Sequence, residues 1–241
     1  MKRQIRRSVF ETNSSSQHSL CIMKKDEYYT PEEILEEIYL CKDKETGEEN
    51  CVWDIWDRDL EFGRSPFRAL GTFIDKWLYA CASLVHNYND ETYKELVSLA
   101  LKYIPGLKKV ELPTTIDSYA DKDDEEHKDD EYFQKYGKTE DELIEYLTQK
   151  EKDWEMKIDY WKSSGGYWHY NRPFTGYVDE NILSGFLEKE GITLEEYLTN
   201  KKYVVIQDGD EYCYWYDMKK TGLVNMDAID HEYPREYGTE D

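Results

Sequence analysis

The run Arg6-Arg7-Ser8-Val9-Phe10-Glu11-Thr12-Asn13-Ser14-Ser15-Ser16-Gln17-His18-Ser19 gathers guanidinium, hydroxyl, carboxamide and imidazole groups that the rest of the sequence does not repeat. These are anion-binding groups. Asn13, Ser14, Ser15 and Ser16 offer a turn whose backbone N–H groups and hydroxyls can surround a phosphate, while Arg6, Arg7 or His18 supplies positive charge. If the arm is extended, Arg3 and Arg7 share one face with Glu11, and Lys2 and Arg6 share the other with Ser8. A polar hairpin whose arginines pair with carboxylates elsewhere fits the same residues, since carboxylates are abundant in this chain.

Charge separates this arm from the remainder. The first 25 residues hold six of the 31 Lys and Arg and one acid, Glu11, against 25 bases and 52 acids in the other 216 residues. A net charge of -22 on 241 residues exceeds the roughly 2–8 charges usual for a small soluble domain. Free nucleic acid is therefore not an expected target of the acidic body. A positively charged protein surface would be attracted and steered toward it. The densest acidic stretch is 117–131, with nine acids and two lysines. It is expected to be a solvated loop or insertion in which Asp123, Asp124, Glu125, Glu126, Asp129 and Asp130 are candidates for contact with a basic partner.

Other chemistry is weaker in the sequence. Asp208-Gly209-Asp210-Glu211 could ligate a hard cation, but tyrosines at 212, 214 and 216 stand where further oxygen ligands would be needed, so a turn is the simpler reading and no metal site is expected. Gly165-Gly166-Tyr167-Trp168-His169-Tyr170-Asn171-Arg172-Pro173 reads as a glycine-hinged aromatic loop, either stacking a base or, the preferred reading, covering the core. His86, His127 and His231 lack metal-ligand spacing. Walker-type, Gly-x-Ser-x-Gly and Gly-x-Gly-x-x-Gly patterns are absent, which leaves catalytic residues unassigned and no cofactor expected. Cys21, Cys41, Cys51, Cys81 and Cys213 are odd in number with no C-x-x-C pair, the pattern of free and mostly buried thiols. No stretch of ~18 apolar residues exists for a membrane span, and a cytoplasmic location is expected.

The elements that would carry these groups follow from pattern. Residues 3–12 and 18–24 flank the serine-rich turn as an expected hairpin, and 203–207 with 211–216 flank Asp208-Gly209-Asp210 as a second one. Thr30-Pro31-Glu32-Glu33 opens a short helix to about Leu40, and residues 42–50 form a charged loop. Residues 51–62 are a strand or an irregular aromatic segment. Spacing of three and four predicts the central core helix over 66–85, and a second helix capped by Asn89 or Asp90 and ended by Pro105-Gly106. Thr139-Glu140-Asp141-Glu142 starts a long helix expected to reach Trp161, Asp179 caps another, and Thr193-Leu194-Glu195-Glu196 a short last one. No fixed-period repeat occurs. The expected architecture is one α+β domain over 1–241, with N- and C-terminal hairpins that share a sheet and about five amphipathic helices.

The run 6–19 resembles the N-terminal signature of a family of proteins from Gram-positive bacteria and their phages, and Lys202-Tyr203-Val204-Val205-Ile206-Gln207-Asp208-Gly209-Asp210-Glu211-Tyr212 is similar to that family's C-terminal region. The resemblance covers under a fifth of the chain and carries over no catalytic residue. It implies a phage or mobile-element setting, among inhibitors of CRISPR nucleases. With the charge, this gives an interaction protein that sets its acidic surface in the basic nucleic-acid channel of a defence nuclease. The alternative is a nucleotide- or phosphate-binding protein, or an enzyme, that uses the N-terminal arm.

Overall fold

Five of the described helices begin where a Thr or Asp side chain, at Thr30, Thr72, Asp90, Thr139 or Thr193, captures a backbone N–H of the first turn. The computed structural model describes residues 17–23, 26–62, 68–85, 90–120, 139–174, 178, 180–208 and 230–231. Within them lie helices and three small sheets, an α+β architecture as expected. The chain divides into two compact units, one of residues 1–37, 61–83 and 178–241, the other of residues 38–60 and 84–177.

The first unit is built on a sheet of order β3-β8-β1-β9, from strands β1 (Gln17–Ile22), β3 (Arg68–Leu70), β8 (Tyr203–Asp208) and β9 (Asp230–His231). All its pairings are antiparallel. Strand β8 is flanked by β1 and β3, which occupy both edges of Val205, Ile206 and Gln207. The two terminal segments thus share one sheet, but through a long-range pairing of β1 with β8. Ser19 and Leu20 have β8 on one side and β9 on the other. Residues 3–12 and 211–216 lie outside the described residues.

Helix α1 (Pro31–Glu36) carries the expected capping box, with Thr30 Oγ1 accepting from Glu33 N at 3.3 Å and Glu33 accepting from Thr30 N at 2.9 Å. The core helix α2 (Phe73–Leu84) starts later than its apolar spacing predicts. Thr72 Oγ1 caps it by accepting from Asp75 N, and Arg68, Ala69 and Leu70 before it pair with β8. Leu70 satisfies helical and strand spacing equally, so periodicity could not divide the segment. Phe73, Trp77, Ala80 and Cys81 are fully buried along this helix. Helices α5 (Glu180–Glu190) and α6 (Leu194–Thr199) complete the unit, and Phe186 of α5 meets Tyr203 of β8 edge-on at 6.1 Å. Position 179, the expected cap of α5, is outside the described residues.

In the second unit, β2 (Val52–Asp54) pairs in parallel with β4 (Lys109–Glu111), and Trp56 N donates to Asp59 Oδ2 at 3.0 Å in the 3-10 turn that follows. Helix α3 (Glu91–Tyr103) is capped by Asp90, which accepts from Thr92 N at 2.8 Å. A three-stranded antiparallel sheet of order β5-β7-β6 joins β5 (Thr114–Ala120), β7 (Tyr167–Pro173) and β6 (Tyr160–Lys162). Helix α4 (Glu140–Asp153) has the Thr139 capping box and lays Leu143 and Leu147 against Ile158, Trp168 and Tyr170.

Three expectations change in this unit. Helix α4 stops at Asp153 rather than Trp161, with Trp154 as its C-cap and Glu155 in the left-handed region at φ 52°. The continuing three-residue spacing came from Ile158 and Trp161, which belong to the return into β6. Residues 117–120, expected in an acidic loop, extend β5 and pair with 167–170. The aromatic segment 165–173 is a turn followed by a strand: Gly166 takes φ 85° and donates to Ser163 O at 3.1 Å, closing the β6–β7 hairpin. Its Trp168 and Tyr170 do cover the core.

Leu143 is fully buried, so Leu143→Ala should cost about 2–5 kcal/mol. The neighbouring and more exposed Ile144→Ala should cost less than about 1 kcal/mol. Urea denaturation of the two variants checks this assignment of the helix face.

Candidate functional site

The serine-rich run ends at Ser16, and the next residue in the chain, Gln17, opens β1 and pairs with Asp208 at the end of β8. The sheet therefore sets the described parts of runs 6–19 and 202–212 side by side, Gln17, His18 and Ser19 opposite Asp208, Gln207 and Ile206, with 191, 189 and 187 positions between partners in sequence numbering. His18 stands opposite Gln207, whose other neighbour is Arg68. Of the residues proposed for anion binding, only His18 is among those described; Arg6, Arg7, Asn13, Ser14, Ser15 and Ser16 lie outside them. Asp123, Asp124, Glu125, Glu126, Asp129 and Asp130 also lie outside them.

The C-terminal end of α6, just before β8, is held by a buried lysine that the motifs of the sequence do not mark. Lys76 of α2 is fully buried, and its Nζ donates to Tyr197 O and Asn200 O, both at 2.8 Å, at the C-terminal end of α6. The last carbonyls of a helix lack intrahelical donors and carry partial negative charge, so an amine satisfies them well. The ring centroids of Tyr29 and Tyr197 lie 5.0 and 5.6 Å from Nζ. Burial pushes the Lys76 amine down to about 7 from its ordinary 10.5, opposed by the pull of the Glu196 carboxylate. The signal in the sequence was a lysine between Phe73 and Trp77 on the most apolar helix.

Around this lysine a polar clasp ties segment 26–33 to α6 and the start of β8. Glu196 accepts from Tyr28 Oη at 3.0 Å and from Asn200 Nδ2 at 2.8 Å, and Asn200 Nδ2 also donates to Asp26 at 2.6 Å. Thr193 accepts from Glu196 N at 3.1 Å, so the sequence motif forms the N-cap while its carboxylate is engaged with Tyr28 and Asn200. Lys201 Nζ reaches Glu33 at 2.7 Å and Glu27 at 3.6 Å. This arrangement is structural: its amine contacts backbone carbonyls.

The second unit carries a separate polar row on the β5-β7-β6 sheet. Ser118, His169 and Trp161 are cross-strand partners; Ser118 Oγ lies 2.8 Å from His169 Nδ1, and the Trp161 ring stacks on the imidazole at 5.5 Å and 22°. Ser118 and Trp161 are exposed, so the row is a rigid aromatic patch open to solvent. On the alternate face Asp117 accepts from Tyr170 Oη at 3.2 Å and pairs with Arg172 at 3.2 Å. Reading 165–173 as a loop hid this alternation.

Among the described residues no group of three or more His, Cys, Asp or Glu is placed to hold a metal ion, and no helix is long and apolar enough to cross a membrane. Cys21, Cys51 and Cys81 are buried free thiols, Cys41 is a half-buried one, and burial pushes the Cys21 thiol up to about 12. No protein-family model, curated protein or solved structure matches the chain.

The depressed Lys76 amine has a measurable consequence. Between about pH 7 and 10.5 the unfolded chain holds a proton on this amine that the folded chain lacks, so this residue's contribution makes stability rise with pH. The buried Tyr29, Tyr197 and Cys21 act in the opposite sense at higher pH, because burial raises all three, so the window to use is pH 7–9. There the wild type should gain up to about 1.4 kcal/mol per pH unit relative to Lys76→Met. Parallel stability curves in urea would show instead that the amine keeps its proton on folding.

Proposed function

We propose that this chain is a phage or mobile-element inhibitor that binds the basic nucleic-acid channel of a host defence nuclease, such as a CRISPR effector, through an acidic surface. The observation that carries the reading is the net charge of -22, with the positive residues of the first 25 positions set apart from an acidic remainder. Exposed carboxylates of the described residues support it. Glu140, Asp141 and Glu142 crowd the first turn of α4, and the exposed Asp57 and Asp59 follow the exposed Trp56 in the 3-10 turn. Acids at a helix N-terminus are stabilised by its dipole, which allows them to accumulate there without destabilising the fold. A basic groove would be drawn to such a surface at long range and would replace self-repulsion with attraction.

Binding of this kind is screened over a Debye length of ~8 Å at physiological ionic strength. Affinity for a purified nucleic-acid-guided nuclease is expected to fall steeply as salt is raised, and an affinity that holds constant would contradict an electrostatic mimic. Replacing Asp123, Asp124, Glu125, Glu126, Asp129 and Asp130 by their amides should weaken the complex while leaving the melting temperature unchanged.

A second reading is favoured by one specific observation: β1 and β8, which carry parts of the two resemblance-bearing runs, are paired strands. In this reading the N-terminal signature binds a phosphate or nucleotide through Arg6, Arg7, Asn13, Ser14, Ser15, Ser16 and His18. Arg7→Ala combined with Ser15→Ala should then abolish phosphate binding with a normal melt. If the arginine instead pairs with a buried carboxylate, its loss should cost about 3–5 kcal/mol and lower the melting temperature.

A further inference from the structure

We infer that Cys41 and Cys51 are an oxidisable pair, a modification site at which a peroxide closes a disulfide across the base of the charged loop 42–50. The two residues meet through the backbone. Cys41 N donates to Val52 O at 2.6 Å, and Cys41 O accepts from both Val52 N and Cys51 N at 3.0 Å. Two residues therefore oppose one, the arrangement of a β-bulge. The next rung outward, Asp43 N to Glu48 O at 2.8 Å, leaves Lys42 against Glu49, Asn50 and Cys51, and Asn50 absorbs the excess in the left-handed region at φ 54°. In an unbulged ladder Cys51 would alternate away from Cys41. Exchanging both hydrogen bonds places the Cα atoms of Cys41 and Val52 ~5.5 Å apart, inside the ~4.4–6.8 Å that a disulfide spans, and the bulge makes Cys51 share that position.

The surroundings of the two sulfurs divide the work between them. Cys41 is half-buried and can meet a small oxidant, whereas Cys51 is 3% exposed and protected. Cys51 Sγ donates to Glu48 O at 3.5 Å, so this sulfur lies at the base of the loop. Lys108 Nζ pairs with the Glu48 carboxylate, and its amine titrates above the ordinary value first because of that bond and, among smaller causes, because of Cys51. A cation near a sulfur favours thiolate chemistry. The Cys41 thiolate attacks a peroxide oxygen, the O–O bond breaks and hydroxide leaves, giving a sulfenic acid. The Cys51 thiolate then attacks the Cys41 sulfur, the S–O bond breaks, and a second hydroxide leaves as the S–S bond forms. Protons released by the two thiols convert both hydroxides to water, so the thiol pair is oxidised and one peroxide is reduced. Cys21 and Cys81, both fully buried, have no such access.

The native full chain is treated with hydrogen peroxide, digested with trypsin without reduction and mapped by mass spectrometry. Cleavage after Lys42 and Lys44 puts the two cysteines on separate peptides. The expected product joins the Cys41 peptide to the Cys51 peptide, comes apart again with dithiothreitol, and leaves Cys21 and Cys81 open to alkylation after unfolding. Cys51→Ser should leave Cys41 as a sulfenic acid that dimedone traps, because the resolving thiol is gone. Since Cys51 is buried, wild-type mapping decides the matter if that variant fails to fold. Wild type in which Cys41 stays a thiol, is driven past the sulfenic stage or joins a cysteine other than Cys51 overturns the inference.

Discussion

Pairing of β1 with β8 is the constraint on which the first unit depends. It joins residues 17–22 to 203–208 in six register positions, and β8 then serves as the partner of β3 on its other edge. The ladder does not stop at the strand ends. Met23 N donates to Lys202 O at 2.6 Å, Lys201 N to Glu27 O at 2.6 Å and Tyr29 N to Thr199 O at 2.9 Å, so the chain after β1 continues alongside the turn before β8. Closing so long a loop costs entropy that grows only slowly with length, and the buried Leu20, Cys21, Val205 and Ile206 repay it through apolar contact on both faces of the sheet.

The clasp around Asn200 sets where β8 begins. Lys76 satisfies the terminal carbonyls of α6, Glu196 and Asp26 hold the Asn200 carboxamide, and Lys201 bridges to Glu33 of α1. Each contact fixes the few residues between α6 and β8, and a one-residue slip there would turn every side chain of β8 to the wrong face. A neutral amine at Lys76 can make both observed hydrogen bonds without a buried charge, which is why burial and function as a helix cap are compatible. The surface outside this core then tolerates its excess of acid because those carboxylates remain hydrated in loops and first turns.

Local signals were legible in the sequence and long-range ones were not. Thr30, Asp90, Thr139 and Thr193 each cap the helix their motif announced, because a cap is decided by residues within one turn. Apolar spacing erred at Leu70 and Trp161, where intervals of three fit a helix but pairing with another strand wins, and at Ile158, whose N–H donates to Glu151 Oε1 instead of continuing the helix. The pairing of His18 with Gln207 could not be read from periodicity, since no local pattern names a partner 189 residues away. Of the candidate anion site, only the residue types were visible in the sequence. Lys76 was visible as a lone charge on an apolar stripe, but its role needed the position of the α6 carbonyls.

Nuclear Overhauser contacts between backbone protons of β1 and β8 test the central pairing most directly. The account predicts cross-strand contacts linking His18 with Gln207 and Leu20 with Val205. Contacts running instead from residues 18–24 to residues 3–12, the pattern of a local N-terminal hairpin, would contradict it.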